Sequence, residues 1–185
     1  MKITKIKVYK LALPLKESSY KWSHNSEVKE FDNTIVKLET DSNIFGFGEV
    51  CTLGSAYLPA YARGVRSGIK EIGKNLLGLD PTDIININNI MDKNLKGHSY
   101  VKSPIDMACW DLMGKVFNVP VWKLLGGKFG EYIDLYRAIS QEDPSLMVQK
   151  VKQYKEEGYT KFQLKVGGNP SEDIERIIQV RSILQ

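Results

Sequence analysis

The chain has 185 residues, of which 42% are hydrophobic and 26% charged, an ordinary globular composition that excludes a disordered tail, a collagen-like fibre and a disulfide-stapled mini-protein. Its 26 Lys+Arg and 22 Asp+Glu are interleaved, so the net charge of +4 forms no stripe for a nucleic acid. Cys51 and Cys109 are the only cysteines, too few for a disulfide framework, and both are read as buried free thiols.

Residues 3–11 alternate apolar and lysine positions imperfectly, which predicts an edge or bulged strand. The same stretch lacks the continuous apolar core of a signal peptide. No segment has the run of about 18 apolar residues that a membrane span needs. The chain is therefore read as cytoplasmic. Lys16 to Asn33 shows no period and is read as a long polar loop, a lid or binding loop carrying Tyr20, Trp22 and His24. Residues 34–40 and 44–50 read as strands around the Asp41-Ser42-Asn43 turn, completing a three-stranded antiparallel meander.

From Leu58 the period becomes helical. Tyr61, Val65, Ile69, Ile72 and Leu76 form one stripe, with Gly64 and Gly68 allowing close packing. Asp80-Pro81 is read as the start of a second helix, with Ile84, Ile87, Ile90, Met91 and Leu95 facing the core. A third helix over 101–117 buries Ile105, Ala108, Cys109, Leu112 and Val116, and a short turn of helix ends at Gly126-Gly127. Beyond it the class changes: strand 132–139, helix 144–157, strand 161–166, and a helix from Ser171 that runs to Gln185 without a stop signal. Two strand–helix units predict a parallel sheet.

Two long stretches carry a resemblance. Ser103-Pro104-Ile105-Asp106-Met107-Ala108-Cys109-Trp110-Asp111-Leu112-Met113-Gly114-Lys115 continues through Val119-Pro120-Val121-Trp122-Lys123-Leu124-Leu125-Gly126-Gly127. With Gly46-Phe47-Gly48-Glu49, these resemble the mandelate racemase/muconate lactonizing branch of the enolase superfamily. The resemblance covers the whole chain. Residues 52–59, 97–103 and 162–168 are similar to the branch members acting on hydroxyproline betaine, proline betaine or cis-3-hydroxyproline.

The resemblance implies a fold and a reaction. Residues 1–127 would be an α+β N-terminal capping domain, a three-stranded antiparallel meander plus a helical group. Residues 128–185 would be the first βα units of an incomplete (β/α) barrel. The activity implied is removal of the proton α to a carboxylate, with Mg²⁺ as cofactor, by a racemase, epimerase or dehydratase of cyclic amino acids or their betaines. The partner expected is a small-molecule carboxylate, with no nucleic acid and no membrane, in a homo-oligomer.

Strand alternation places Gln163 and Lys165 on one face and Phe162, Leu164 and Val166 on the other. In a barrel the apolar set packs on helices, and Lys165 points inward at the strand's C-terminal end, where catalytic groups of that fold sit. A partly desolvated lysine there can serve as a general base, so Lys165 is the catalytic candidate. Many members of the resembled family carry a Lys-x-Lys pair here, whereas this chain has Gln163-Leu164-Lys165; Gln163 would orient Lys165 or contact substrate. Tyr57, expected to approach the barrel mouth, offers a ring and a hydroxyl to a cationic ring nitrogen, and Trp22 offers hydrophobic cover. His98, Asp106 and Asp111 are read as structural, and Trp110 and Trp122 as core or interface aromatics.

No carboxylate set for the metal is found in the chain. A complete barrel takes about 250 residues, and 55 follow Gly130, so the chain alone is expected to be inactive. Two competing readings are a muconate cycloisomerase or dipeptide epimerase of the same superfamily, and a non-catalytic binding or assembly module.

Overall fold

The computed structural model describes residues 1–23 and 26–184. His24, read above as a loop residue, and Gln185 lie outside the described residues. In chain order the elements begin with strands β1 (Ile3–Pro14), β2 (Tyr20–Trp22), β3 (Ser26–Val28), β4 (Glu30–Thr40) and β5 (Phe45–Cys51). Helices α1 (Ala62–Gly73), α2 (Ile84–Asn94), α3 (Ser99–Phe117) and α4 (Val121–Leu124) follow. Then come β6 (Tyr136–Ile139), α5 (Pro144–Glu156), β7 (Lys161–Leu164) and α6 (Pro170–Ser182).

The chain forms two compact units. The first comprises residues 1–13 and 30–129, and the second residues 14–29 and 130–185. The first unit carries a sheet of order β1-β4-β5, which puts β1 at an edge as its broken alternation predicts. β4 and β5 pair antiparallel, Val36 opposite Gly48 and Leu38 opposite Gly46. Val36 and Leu38 are buried with Val65, Ile69 and Ile72 of α1, Ile87 and Met91 of α2, and Ile105, Ala108, Cys109 and Leu112 of α3. Burial of this apolar set is the main stabilising term of the unit.

The Gly-Phe-Gly-Glu motif has a steric cause. A Cβ on Gly46 would lie 2.1 Å from the Ala108 carbonyl oxygen, and one on Gly48 would lie 1.8 Å from that of Pro104. Glycine at both places lets β5 lie directly on the α3 backbone. On the opposite face Phe45 and Phe47 stack edge to face at 5.6 Å. Asp111 accepts from the Phe47 amide at 2.8 Å and from Lys115 Nζ at 2.7 Å, the structural polar contact expected of it. Gly68 likewise packs on α3, against Val101.

In the second unit β6 and β7 pair in parallel, Ala138 opposite Gln163 and Ile139 opposite Leu164. Ile139, Met147, Val151, Tyr154 and Val180 form its buried cluster, with Phe162 and Leu164 packed against it. Both helices start as expected of βα units: Asp143 caps α5 and Asn169 caps α6, each accepting from the amide two residues on and followed by proline.

Several details differ from the sequence reading. Tyr61, read on the stripe of α1, is its N-cap and is exposed, and β7 ends at Leu164, two residues short of the strand expected over 161–166. The polar loop over 16–33 contains the antiparallel hairpin β2–β3, with Tyr20 opposite Val28 and Trp22 opposite Ser26, and β4 begins within it. Strands of three residues are too short to show a period. Asp80 does not cap a helix; it accepts from the Thr82 amide and hydroxyl, closing a local turn, and Asp83 caps α2. Val116 is 41% exposed: it lies on the stripe of α3 but in the last turn of the helix, past its last buried residue, Gly114. Cys51 is exposed at the end of β5, whereas Cys109 is buried. The strand predicted from Tyr132 begins at Tyr136, and Tyr132 and Ile133 are exposed.

Candidate active site

The site is built on the C-terminal ends of β6 and β7, where parallel sheets present their functional groups. Phe162 and Leu164 face the helices, so Gln163 takes the opposite face and is exposed. Lys165 follows β7 directly. Its amide donates to the Ile139 carbonyl at 3.0 Å, extending the ladder by one bond, and its side chain is half-buried. Gln163 makes no hydrogen bond to Lys165 among the described residues.

The β2–β3 hairpin is fastened to the end of β6. The Lys21 amide donates to Ser140 Oγ at 3.2 Å, the Gln141 amide donates to the Lys21 carbonyl at 3.1 Å, and Lys21 Nζ pairs with Glu142 at 3.3 Å. That places Lys165 Nζ 5.9 Å from the centre of the Tyr20 ring. The Trp22 ring lies 6.0 Å from that of Tyr20, tilted by 32°. The half-buried aromatic pair is thus part of the same unit as the lysine.

A second tie holds the start of the hairpin segment. Glu17 accepts from Arg137 and from the Tyr154 hydroxyl. Burial pushes the Glu17 carboxyl up, but the hydrogen bond and charge of Arg137 outweigh it, and the group sits below its ordinary value. Arg137 in turn lies 4.0 Å over the Tyr154 ring.

Of the residues singled out by sequence, Lys165, Gln163 and Trp22 belong to this unit. Tyr57 belongs to the first, in a turn where its amide donates to the Gly54 carbonyl at 3.0 Å, and is 48% exposed. His98 has left-handed backbone and its Nδ1 lies 3.0 Å from the Tyr100 hydroxyl, at the start of α3. Asp106 accepts from Asn88 Nδ2 at 2.8 Å and joins α3 to α2. Sequence reasoning passed over Ser140, Gln141 and Glu142; their signal was available, since they follow β6 as Lys165 follows β7.

Among the described residues, no three His, Cys, Asp or Glu side chains gather so as to hold a metal ion. The described residues therefore do not form a cradle for the Mg²⁺ that the resemblance implies. No described helix is long and apolar enough to cross a membrane.

Comparison with known proteins gives the family. Residues 6–126 match the mandelate racemase / muconate lactonizing enzyme N-terminal domain. The chain is 54% identical over 185 residues to the cis-3-hydroxy-L-proline dehydratase of Roseibium aggregatum, covering 100% of this chain and 50% of that protein. The crystal structure of the N-succinyl Arg/Lys racemase from Bacillus cereus superposes with a TM-score of 0.94 at 33% identity, covering 100% of this chain and 50% of that one. A member of the enolase superfamily from Roseovarius nubinhibens, complexed with magnesium, superposes with a TM-score of 0.86 at 39% identity, covering 98% of this chain and 49% of that one. The chain spans about half the length of the curated relatives it matches.

Proposed function

Because the chain belongs to the mandelate racemase / muconate lactonizing enzyme family, we propose that it supplies the N-terminal half of an enolase-superfamily enzyme in which Lys165 removes the proton α to a carboxylate. The observation that carries this reading is the placement of Lys165. It stands immediately after a parallel strand, on the face away from the apolar cluster, beside the ring of Tyr20. A base there takes the α-proton, and the electron pair of the C–H bond moves into the carboxylate to give an enediolate.

The substrate class we assign is a cyclic amino acid or its betaine. Support comes from the identity to a cis-3-hydroxy-L-proline dehydratase along the whole chain. In dehydration the enediolate collapses with loss of the β-hydroxyl, which leaves as water after taking a proton. A second reading, racemisation or epimerisation, is favoured by the likeness to the N-succinyl Arg/Lys racemase; there the proton returns to the opposite face of the same carbon. Tyr57 and Trp22 are assigned to substrate contact, and Gln163 to the same face as the base.

The magnesium ligands of this enzyme lie outside the 185 residues in this proposal, and the isolated chain has no turnover. The domain assignment that goes with it is a capping domain over 1–127 and the opening of a modified barrel over 128–185. A cytoplasmic homo-oligomer completes the reading.

The test is substrate ranking in the full-length enzyme. In deuterium oxide, cis-3-hydroxy-L-proline and N-methylated prolines should exchange or lose the α-proton faster than hydrophobic dipeptides or aromatic hydroxy acids. The reverse ranking contradicts the substrate class.

A further inference from the structure

We infer that Gln141, Asp173 and Arg176 are positioning residues for Lys165, acting through Gly167; the inference rests on the assignment of Lys165 as the base. Gly167 stands two residues after Lys165, at a φ of +133° that favours glycine. Both polar groups of its backbone are taken. Its amide donates to Asp173 Oδ2 at 2.8 Å, and its carbonyl accepts from Gln141 Nε2 at 2.6 Å. A Cβ on Gly167 would lie 2.7 Å from that of Ser23, so the hairpin segment closes the third side.

Arg176 locks this arrangement. Its Nη1 donates to the other oxygen of Asp173 at 2.8 Å, its Nε to the Glu142 carbonyl at 2.8 Å, and its Nη2 to Glu172 at 3.1 Å. At 8% exposure it is the one charged side chain that is buried among the described residues. One guanidinium thus joins the segment after β6 to the first turn of α6, and Asp173 passes that constraint to the segment that carries Lys165. With the Lys165 amide held by Ile139, the lysine is pinned on both sides.

Two plainer roles account for less. Acidic residues in a first helical turn favour the helix dipole, which needs no particular direction of the carboxylate, yet each Asp173 oxygen is committed to a different partner. A buried ion pair is weak as a source of stability, and apolar side chains of similar volume often serve as well or better. What the fork adds over an apolar residue is fixed geometry. Its acceptors lie in the segment after β6 and the first turn of α6, where Asp173 in turn holds the Gly167 amide after β7.

The experiment uses the full-length enzyme and follows α-proton exchange of its best substrate into deuterium oxide, per folded active site. Asp173→Ala should lower kcat by about 10- to 100-fold, the loss that small misplacement of a reacting group produces. KM should change less than about twofold, because ground-state binding is not touched. Asp173→Asn, which keeps an acceptor for the Gly167 amide, should recover part of the loss. Should Asp173→Ala not fold, Gln141→Ala decides, with the same split between kcat and KM expected. An unchanged kcat per folded site in whichever variant decides, even with lowered thermal stability, overturns the positioning role while Lys165→Ala still abolishes exchange. Undiminished exchange in Lys165→Ala overturns the base assignment itself, and the positioning role with it.

Discussion

Lys165 Nζ lies 5.9 Å from the centre of the Tyr20 ring, joining a segment near the start of the chain to one near its end. The contact depends on the hydrogen bonds that hold the Lys21 backbone to Ser140 Oγ and to the Gln141 amide, so the ring is held in place by strand-end geometry. A cation at this distance from an aromatic face is attracted by about 0.5–1 kcal/mol when the site is partly exposed.

That magnitude sets the expectation for Tyr20. In the full-length enzyme Tyr20→Phe keeps the ring and should hold the exchange rate within about twofold. Lys165 becomes a cation only as it takes the proton, so the ring's attraction is made in the transition state, and Tyr20→Ala should slow exchange by about two- to fivefold, the rate equivalent of the lost attraction. Equal rates in the two variants would remove the ring from the site.

Gly48 offers a test of the packing of β5 on α3. A methyl group there would lie 1.8 Å from the Pro104 carbonyl oxygen, and a helix backbone cannot swing aside as a side chain can. Gly48→Ala should therefore destabilise by about 3 kcal/mol, the upper end of ordinary overpacking. Glu49→Ala, at an exposed neighbouring position, should stay within about 0.5 kcal/mol. Urea midpoints followed by tryptophan fluorescence measure both, and a tolerated Gly48→Ala would contradict the close approach.

Asp32 ties β4 to α1, accepting from Arg66 Nη1 at 2.8 Å and Nη2 at 2.9 Å. The Arg66 hydrogen bonds hold its carboxyl below the ordinary value of 3.8. A carboxyl lowered on folding stabilises the fold above its ordinary value, and the contribution is lost as the pH falls through the lowered one. Solvent screening at a side chain 37% exposed keeps it near 1 kcal/mol. Asp32→Asn should thus cost about 1 kcal/mol near pH 7, a difference from the unsubstituted protein that closes below pH 3.8. A gap independent of pH would mean that shape, and not charge, holds the pair.

Much of this architecture was legible in the sequence because burial imposes a period. Ile105, Ala108, Cys109 and Leu112 announce α3, and the alternation through Phe162, Gln163, Leu164 and Lys165 shows which way the lysine turns. The hairpin was not legible: Tyr20–Trp22 and Ser26–Val28 are too short for alternation, and their stability comes from bonds to Ser140 and Gln141, distant in sequence. Asp80 misled because Asp-Pro starts turns as readily as helices, and the Thr82 hydroxyl decides between them. Cys51 misled because its apolar face-mates on β5, Phe45 and Phe47, are themselves exposed, and the buried positions alternate with it. Arg176 has a local signal in Glu172 and Asp173, four and three residues before it on α6, but its bond to the Glu142 carbonyl, after a different strand, has none.

The central claim is that Lys165 is the base, and exchange of the substrate α-proton with solvent tests it most directly. The full-length enzyme and its Lys165→Ala variant would be held with cis-3-hydroxy-L-proline or an N-methylated proline in deuterium oxide, and deuterium at the α-carbon or in recovered product followed by NMR. The account predicts that the variant binds substrate yet loses exchange by at least about 10³-fold, beyond what general-base catalysis alone contributes at its lower bound. Exchange at the unsubstituted rate would contradict it.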